Sequence, residues 1–161
     1  MNDIKKLWAP WRAAYLRPRA GQSSGKKCIF CAAMAAPGKK MVIAVNKKAF
    51  SVLNKYPYNN GHIMAAPRRH IADIGSLTEE EVFFLFSMLK ETRALLSERL
   101  KPDGFNIGIN EGRAAGAGVP GHLHIHIVPR WNGDTNFMPV TGGIKVISQS
   151  LEELLRSLKK K

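Results

Sequence analysis

The stretch His122-Leu-His-Ile-His-Ile-Val128 alternates imidazoles with branched apolar side chains, and that alternation dictates its local geometry. In an extended strand, side chains two residues apart share a face at a spacing of roughly 6 to 7 Å. Leu123, Ile125 and Ile127 are therefore expected to turn into a core, while His122, His124 and His126 converge on the opposite surface. The chain holds only 5 histidines in 161 residues. Three of them on one face mark a site, because convergent titratable groups cluster where chemistry is done.

A strand with one apolar face needs a cover, and the sequence from Ser76 to Leu100 supplies one. Thr78 and Glu81 are spaced as a capping box. Val82, Leu85, Phe86, Leu89, Leu96 and Leu100 recur at helical spacing, which predicts a long helix lying on a sheet. Lys101-Pro-Asp-Gly104 ends it. Met41 to Asn54 reads as a hairpin split at Asn46-Lys47-Lys48, and a short strand is expected over Gly61 to Ala66 before a proline stop. Phe105 to Asn110 gives a strand next to the histidine strand, His122 to Val128, and the segment from Val146 onward gives an amphipathic C-terminal helix. This order predicts an α+β fold with a mostly antiparallel five-stranded sheet, one long central helix and a C-terminal helix. Residues 1–27 read as an N-terminal arm, 28–140 as the catalytic domain, and 141–161 as a C-terminal segment and helix packing on that domain.

Composition narrows the functional classes. With 45% hydrophobic and 23% charged residues, the chain has globular composition, and no apolar run approaches the ~20 residues of a membrane span. No secretory signal pattern opens it, so a cytoplasmic protein is expected. The net charge of +13, from 25 Lys+Arg against 12 Asp+Glu, favours anionic partners such as nucleotides or nucleic acid. Both cysteines lie in Cys28-x-x-Cys31. In a reducing compartment this reads as a metal half-site or a redox pair, the rival being two small buried apolar residues.

Three imidazoles on one flat strand face do not easily all reach a single ion at about 2.0 to 2.1 Å. The better reading is that one imidazole attacks an electrophile while its neighbours donate to developing negative charge. The glycine-rich Glu111 to Gly121 run supplies backbone N–H groups of the kind that cradle phosphates. Phosphoryl or nucleotidyl transfer follows, with a nucleotide- or nucleic-acid-binding module without turnover as the alternative.

The segment HLHIHIV resembles the signature of the HIT (histidine triad) family, and NNGHIMAAPRRH resembles that family's upstream strand. LWAPWR near the start and VPRWNGDTNF after the triad are similar to the bacterial branch containing diadenosine tetraphosphate phosphorylases. The resemblance implies a covalent nucleotidyl-histidine intermediate at the α-phosphate on His124, with His126 bonding the phosphate and His62 as a further active-site histidine. It implies phosphate contact by Asn110, ribose contact by Asn54, and a base pocket lined by Ile29, Phe30 and Val52. Many relatives carry a polar side chain before the triad, where this chain reads Ala117-Gly118-Val119. Backbone N–H groups of Gly116, Ala117 and Gly118 are expected to serve instead, or the extra room serves inorganic phosphate. Zinc-containing relatives imply a structural zinc on Cys28, Cys31, His70 and His122, and the family implies a homodimer with the long helix near its interface. Whether phosphate or water receives the nucleotidyl group stays open.

Overall fold

The computed structural model describes residues 28–36, 41–135 and 147–159. The arm over 1–27 and residues 136–146 lie outside the described residues. Helix α1 (Ile29–Ala35) is followed by strands β1 (Val42–Val45), β2 (Ala49–Leu53) and β3 (Ile63–Pro67), a short 3-10 turn (Ile74–Ser76) and the long helix α2 (Glu79–Leu100). Strands β4 (Gly104–Ile109) and β5 (Ile125–Arg130) and helix α3 (Leu151–Lys159) complete the chain. The five strands form one antiparallel sheet in the order β1-β2-β3-β5-β4. The α+β fold expected from the element order is the fold observed.

Each face of the sheet has its own core. On one, Ala49, Leu53, Ile63, Ala65, Ile125 and Ile127 pack against Leu85, Met88 and Leu96 of α2 and Leu154 and Leu158 of α3. On the other, Phe50, Val52, Met64 and Ala66 pack against Phe30 and Ala33 of α1. His126 lies opposite Met64 in the ladder, and Ile127 lies opposite Ile63. The alternation in the histidine segment thus divides the two faces as expected.

Helix α2 begins with the capping box, Thr78 accepting from the Glu81 N–H while Glu81 accepts from the Thr78 N–H. Its buried line is Leu85, Met88, Thr92 and Leu96, so the apolar face is narrower than the sequence pattern implied. Val82 and Phe86 are 40% and 52% exposed, because only one stripe of a straight helix reaches a sheet. Lys101 closes the helix in the left-handed conformation, φ 47°. At the β1–β2 turn, Asn46 accepts from the Lys48 and Ala49 N–H groups and donates to the Phe84 carbonyl, fastening the hairpin to α2.

Two strand limits differ from expectation. Strand β5 starts at Ile125, not His122, since both neighbours stop pairing there: Ala65 and Ile109 are its last partners. Beyond Ala65, strand β3 reaches Pro67, which has no N–H for a ladder, and the Pro67 carbonyl is taken by the His122 ring. Strand β3 starts at Ile63, not Gly61, because Gly61 has φ +75°, a value a strand does not use. A Cβ at Gly61 would sit 2.6 Å from Leu100 Cδ1 and 2.9 Å from Pro129 Cγ. Gly61→Ala is therefore expected to cost roughly 2–4 kcal/mol, from backbone strain plus overpacking, read as a lower urea midpoint.

Candidate active site

The three histidines of the triad are not a surface row. They are 1%, 3% and 9% exposed for His122, His124 and His126, walled by Phe30, whose ring centroid lies 5.0 Å from that of His122 and 4.9 Å from that of His124. Burial lowers the pKa of each, most plainly for His126, which is pushed down to about 4 by desolvation and then by neighbouring His124. All three are neutral at pH 7, and a neutral imidazole has one N–H and one lone pair. Which nitrogen carries the proton follows from the partners.

His124 Nδ1 lies 2.8 Å from the His122 carbonyl. A carbonyl only accepts, so Nδ1 holds the proton and Nε2 is left as a bare lone pair. His122 Nε2 lies 2.9 Å from the Pro67 carbonyl, which puts the proton on Nε2 and directs a bare Nδ1 toward Cys28 Sγ at 3.3 Å and Cys31 Sγ at 3.8 Å. His126 is set from a distance. The Tyr58 N–H donates to His62 Nδ1 at 3.0 Å, so His62 carries its proton on Nε2 and donates to His126 Nδ1 at 2.9 Å. His126 Nε2 then bears an N–H that is buried and has no partner among the described residues. Neighbouring imidazoles in one short segment hold opposite tautomers, a lone pair at His124 Nε2 beside a donor at His126 Nε2.

Protonating His126 would place an N–H on Nδ1 facing the His62 N–H. The folded state favours neutral His126, so the stability this group contributes is intact above its ordinary pKa of 6.5 and is lost as pH falls from 6.5 toward 4. The urea midpoint is expected to drop across that window, with a shallower pH dependence in His126→Gln.

Beside the histidines lies a cavity of about 510 Å³ whose lining includes Ile29, Phe30, Val52, Asn54, Lys55 and Tyr56. It brings together the four residues expected to hold base and ribose. Ile29 is 55% exposed at its mouth and Phe30 1% at its floor. Asn54 also has an inward role: its Oδ1 accepts the Tyr56 N–H at 2.9 Å and its Nδ2 lies 3.2 Å from His62 Nδ1. Asn110 follows β4 directly, where that strand ends beside the start of β5. Gly116, with φ +88°, and Ala117 are half-buried, and Gly118 is exposed. Glu111 accepts the Ile74 N–H at 2.9 Å, fastening the start of the glycine-rich run to the turn after β3.

Cys28, Cys31, His70 and His122 each offer one ligand atom, all within 4.8 Å of one another. Cys31 Sγ to His70 Nδ1 is 3.4 Å. A tetrahedral ion with bonds of about 2.0 to 2.3 Å needs ligand separations of roughly 3.3 to 3.8 Å, and the Cys28–His122, Cys31–His70 and Cys31–His122 separations, 3.3, 3.4 and 3.8 Å, fall in that range. The bare Nδ1 of His122 meets the second requirement, a lone pair aimed at the thiols. The cysteines lie at the start of α1, and the segment bearing His70 is braced by Arg69, which bonds both oxygens of buried Glu81 and the Ser76 carbonyl. That ion pair holds the Glu81 carboxyl down to about 2.

The HIT domain model matches residues 37–133, more than half of the chain. The chain belongs to the HIT family. AP-4-A phosphorylase of Mycobacterium tuberculosis is 35% identical over 98% of this chain and 84% of its own length. The asymmetrical bis(5'-nucleosyl)-tetraphosphatase of Schizosaccharomyces pombe is 31% identical over 61% of this chain and 53% of its own. A Zn-bound histidine triad family protein from Mycobacterium smegmatis superposes with a TM-score of 0.67 at 28% identity, covering 83% of this chain and 91% of that one. These relatives place the HIT domain among nucleotide-processing enzymes. No helix among the described residues is long and apolar enough to cross a membrane.

Sequence reasoning overlooked two contributors to this HIT site. Tyr58 acts through its backbone N–H, which no side-chain pattern announces, and its ring lies 4.6 Å from that of His62 and 5.4 Å from that of His126. Gly108 is the ladder partner of His126, and nothing lies within 4 Å of where its Cβ would be. Its signal was available in the glycine at the fourth position of FNIGIN, inside a strand.

Proposed function

We propose that the protein is a nucleotidyl transferase of dinucleoside polyphosphates that works by phosphorolysis, with diadenosine tetraphosphate as its model substrate. The observation that carries the reading is the pairing of tautomers: a lone pair at His124 Nε2 beside a buried donor at His126 Nε2. His124 Nε2 attacks the α-phosphorus, the P–O bond to the leaving polyphosphate breaks, and its electron pair departs on the leaving oxygen. His126 Nε2–H donates to an α-phosphate oxygen as negative charge builds. The His122 carbonyl accepts from His124 Nδ1–H and supports the positive charge that grows on the attacking ring. An oxygen of inorganic phosphate then attacks the same phosphorus, the P–N bond breaks, and the pair returns to Nε2. The products are ATP and ADP.

The cavity beside the histidines takes one base and ribose, and the backbone of Gly116 to Gly118 receives phosphate oxygens. Cys28, Cys31, His70 and His122 hold a structural zinc, which when bound keeps both thiols as thiolates and fixes the start of α1 against the triad. Phe83, Phe86 and Ile107, 65%, 52% and 44% exposed in the single chain, supply an apolar surface on α2 and the edge strand β4 for a homodimer.

Similarity over nearly the whole chain to a protein named as a phosphorylase favours phosphate over water as acceptor. Incubation with diadenosine tetraphosphate, with and without inorganic phosphate, tests this. ADP plus ATP formed only with phosphate is expected. AMP plus ATP would make the protein a hydrolase, and no product from any dinucleoside polyphosphate would overturn the enzymatic reading.

A further inference from the structure

The Tyr58 N–H, at 3.0 Å, and Asn54 Nδ2, at 3.2 Å, both donate to His62 Nδ1 and fix its tautomer; both belong to the 54–62 loop, so whatever holds that loop in place also sets the hydrogen on His126. The loop is held chiefly through Asn59, 8% exposed. Its Nδ2 donates to the Pro129 carbonyl at 3.1 Å and to Asp134 Oδ2 at 2.7 Å. Asp134 is itself built into a clamp. It receives Arg130 Nε on Oδ2 and Arg130 Nη2 on Oδ1, each at 2.7 Å, and the Trp131 N–H at 3.1 Å. Arg130 is the last residue of β5, the strand that carries His126. Two residues from Asn59, Gly61 packs so closely on Leu100 and Pro129 that the loop has little room to relax.

We propose that Asp134, with Asn59, is a positioning residue for the donor histidine: the pair clamps the 54–62 loop to the end of β5, so that the Tyr58 N–H reaches His62 and His126 presents N–H at Nε2. Neither residue lines the cavity. The physical case is that a hydrogen-bonded carboxylate with five donors around it, from Asn59, Arg130 twice, Trp131 and Thr135, is a far more demanding arrangement than closing the Arg130–Asp134 turn requires. Only the Asn59 bond reaches across to the loop. Without it, the Tyr58 N–H is released from His62 Nδ1 and only the longer Asn54 Nδ2 contact at 3.2 Å is left to hold that tautomer; where the pair exchanges, a bare Nε2 on His126 repels phosphate oxygens instead of binding them.

The assignment rests on the proposed role of His126, and its test reads the resting protein as well as the enzyme. In Asn59→Ala and Asp134→Asn, nitrogen NMR of the histidine side chains is expected to show His62 and His126 losing their single tautomers. Turnover of diadenosine tetraphosphate is expected to fall roughly tenfold or more in kcat, the usual scale for a misplaced catalytic group, with KM little changed. Unaltered histidine spectra in both folded variants would overturn the proposal, even if stability or activity fell. An inactive wild-type protein whose histidine tautomers are ordered, and become disordered in the variants, would instead refute the reaction and leave the clamp standing. Asn59→Ala leaves the Arg130–Asp134 turn intact, so it carries the test should Asp134→Asn not fold.

Discussion

His124→Ala is expected to lower kcat for diadenosine tetraphosphate by about 10⁴-fold or more, while the protein still folds. The size follows from the role: His122 also has a bare ring nitrogen opposite a carbonyl, but that nitrogen faces the Cys28 and Cys31 thiols, which leaves His124 Nε2 as the lone pair proposed to attack. The fold survives because Ile125 and Ile127 keep their partners in the sheet core and Leu123 stays buried. His126→Ala provides the contrast. It removes a donor but not the attacking atom, and a fall of about 10²-fold is the scale for losing one such donor. Steady-state kinetics on both variants, with circular dichroism as the control for folding, checks the ordering. Equal losses would mean that the two rings do not divide the work as their tautomers imply.

Loss of the metal is the second large effect expected. One zinc per chain should be found by elemental analysis, and Cys28→Ser should reduce it to near zero, with a fall in melting temperature of about 10 °C or more, since binding energy at such a site is folding energy. The damage should spread to substrate binding. Cys28 immediately precedes α1, and the next residues are Ile29 and Phe30, the mouth and floor of the cavity. A raised KM is therefore expected before kcat suffers. Wild-type protein with no zinc would remove this part of the account and leave the thiols as packing groups.

The sequence made the sheet and the site's principal residues legible because both are written in side-chain patterns. Alternation of His122 to Ile127 places imidazoles on one face, and the Thr78–Glu81 box marks the start of α2. Family resemblance added the link between Cys28, Cys31, His70 and His122, residues far apart in the chain that the fold gathers within 4.8 Å. What stayed hidden depends on backbone atoms and on long-range contacts. Alternation alone overstates the length of β5, because its limit is set by its neighbours, through Pro67 and Ile109, and not by its own residues. Val82 and Phe86 are apolar at helical spacing yet stay uncovered in the single chain, so periodicity overstated the width of the buried stripe. The tautomer of His126 is set through His62 by the Tyr58 N–H and Asn54 Nδ2, the former on a loop whose sequence, Tyr-Pro-Tyr-Asn-Asn-Gly, announces only a turn.

The central claim is a covalent nucleotide on His124, and trapping it is the most direct test. Protein mixed with diadenosine tetraphosphate in the absence of phosphate, quenched in base where a phosphoramidate survives, should gain the mass of one adenylyl group. Peptide mapping should place that group on His124, and adding inorganic phosphate before the quench should discharge it as ADP. Turnover without any adduct, or an adduct mapped to His122 or His126, would contradict the account.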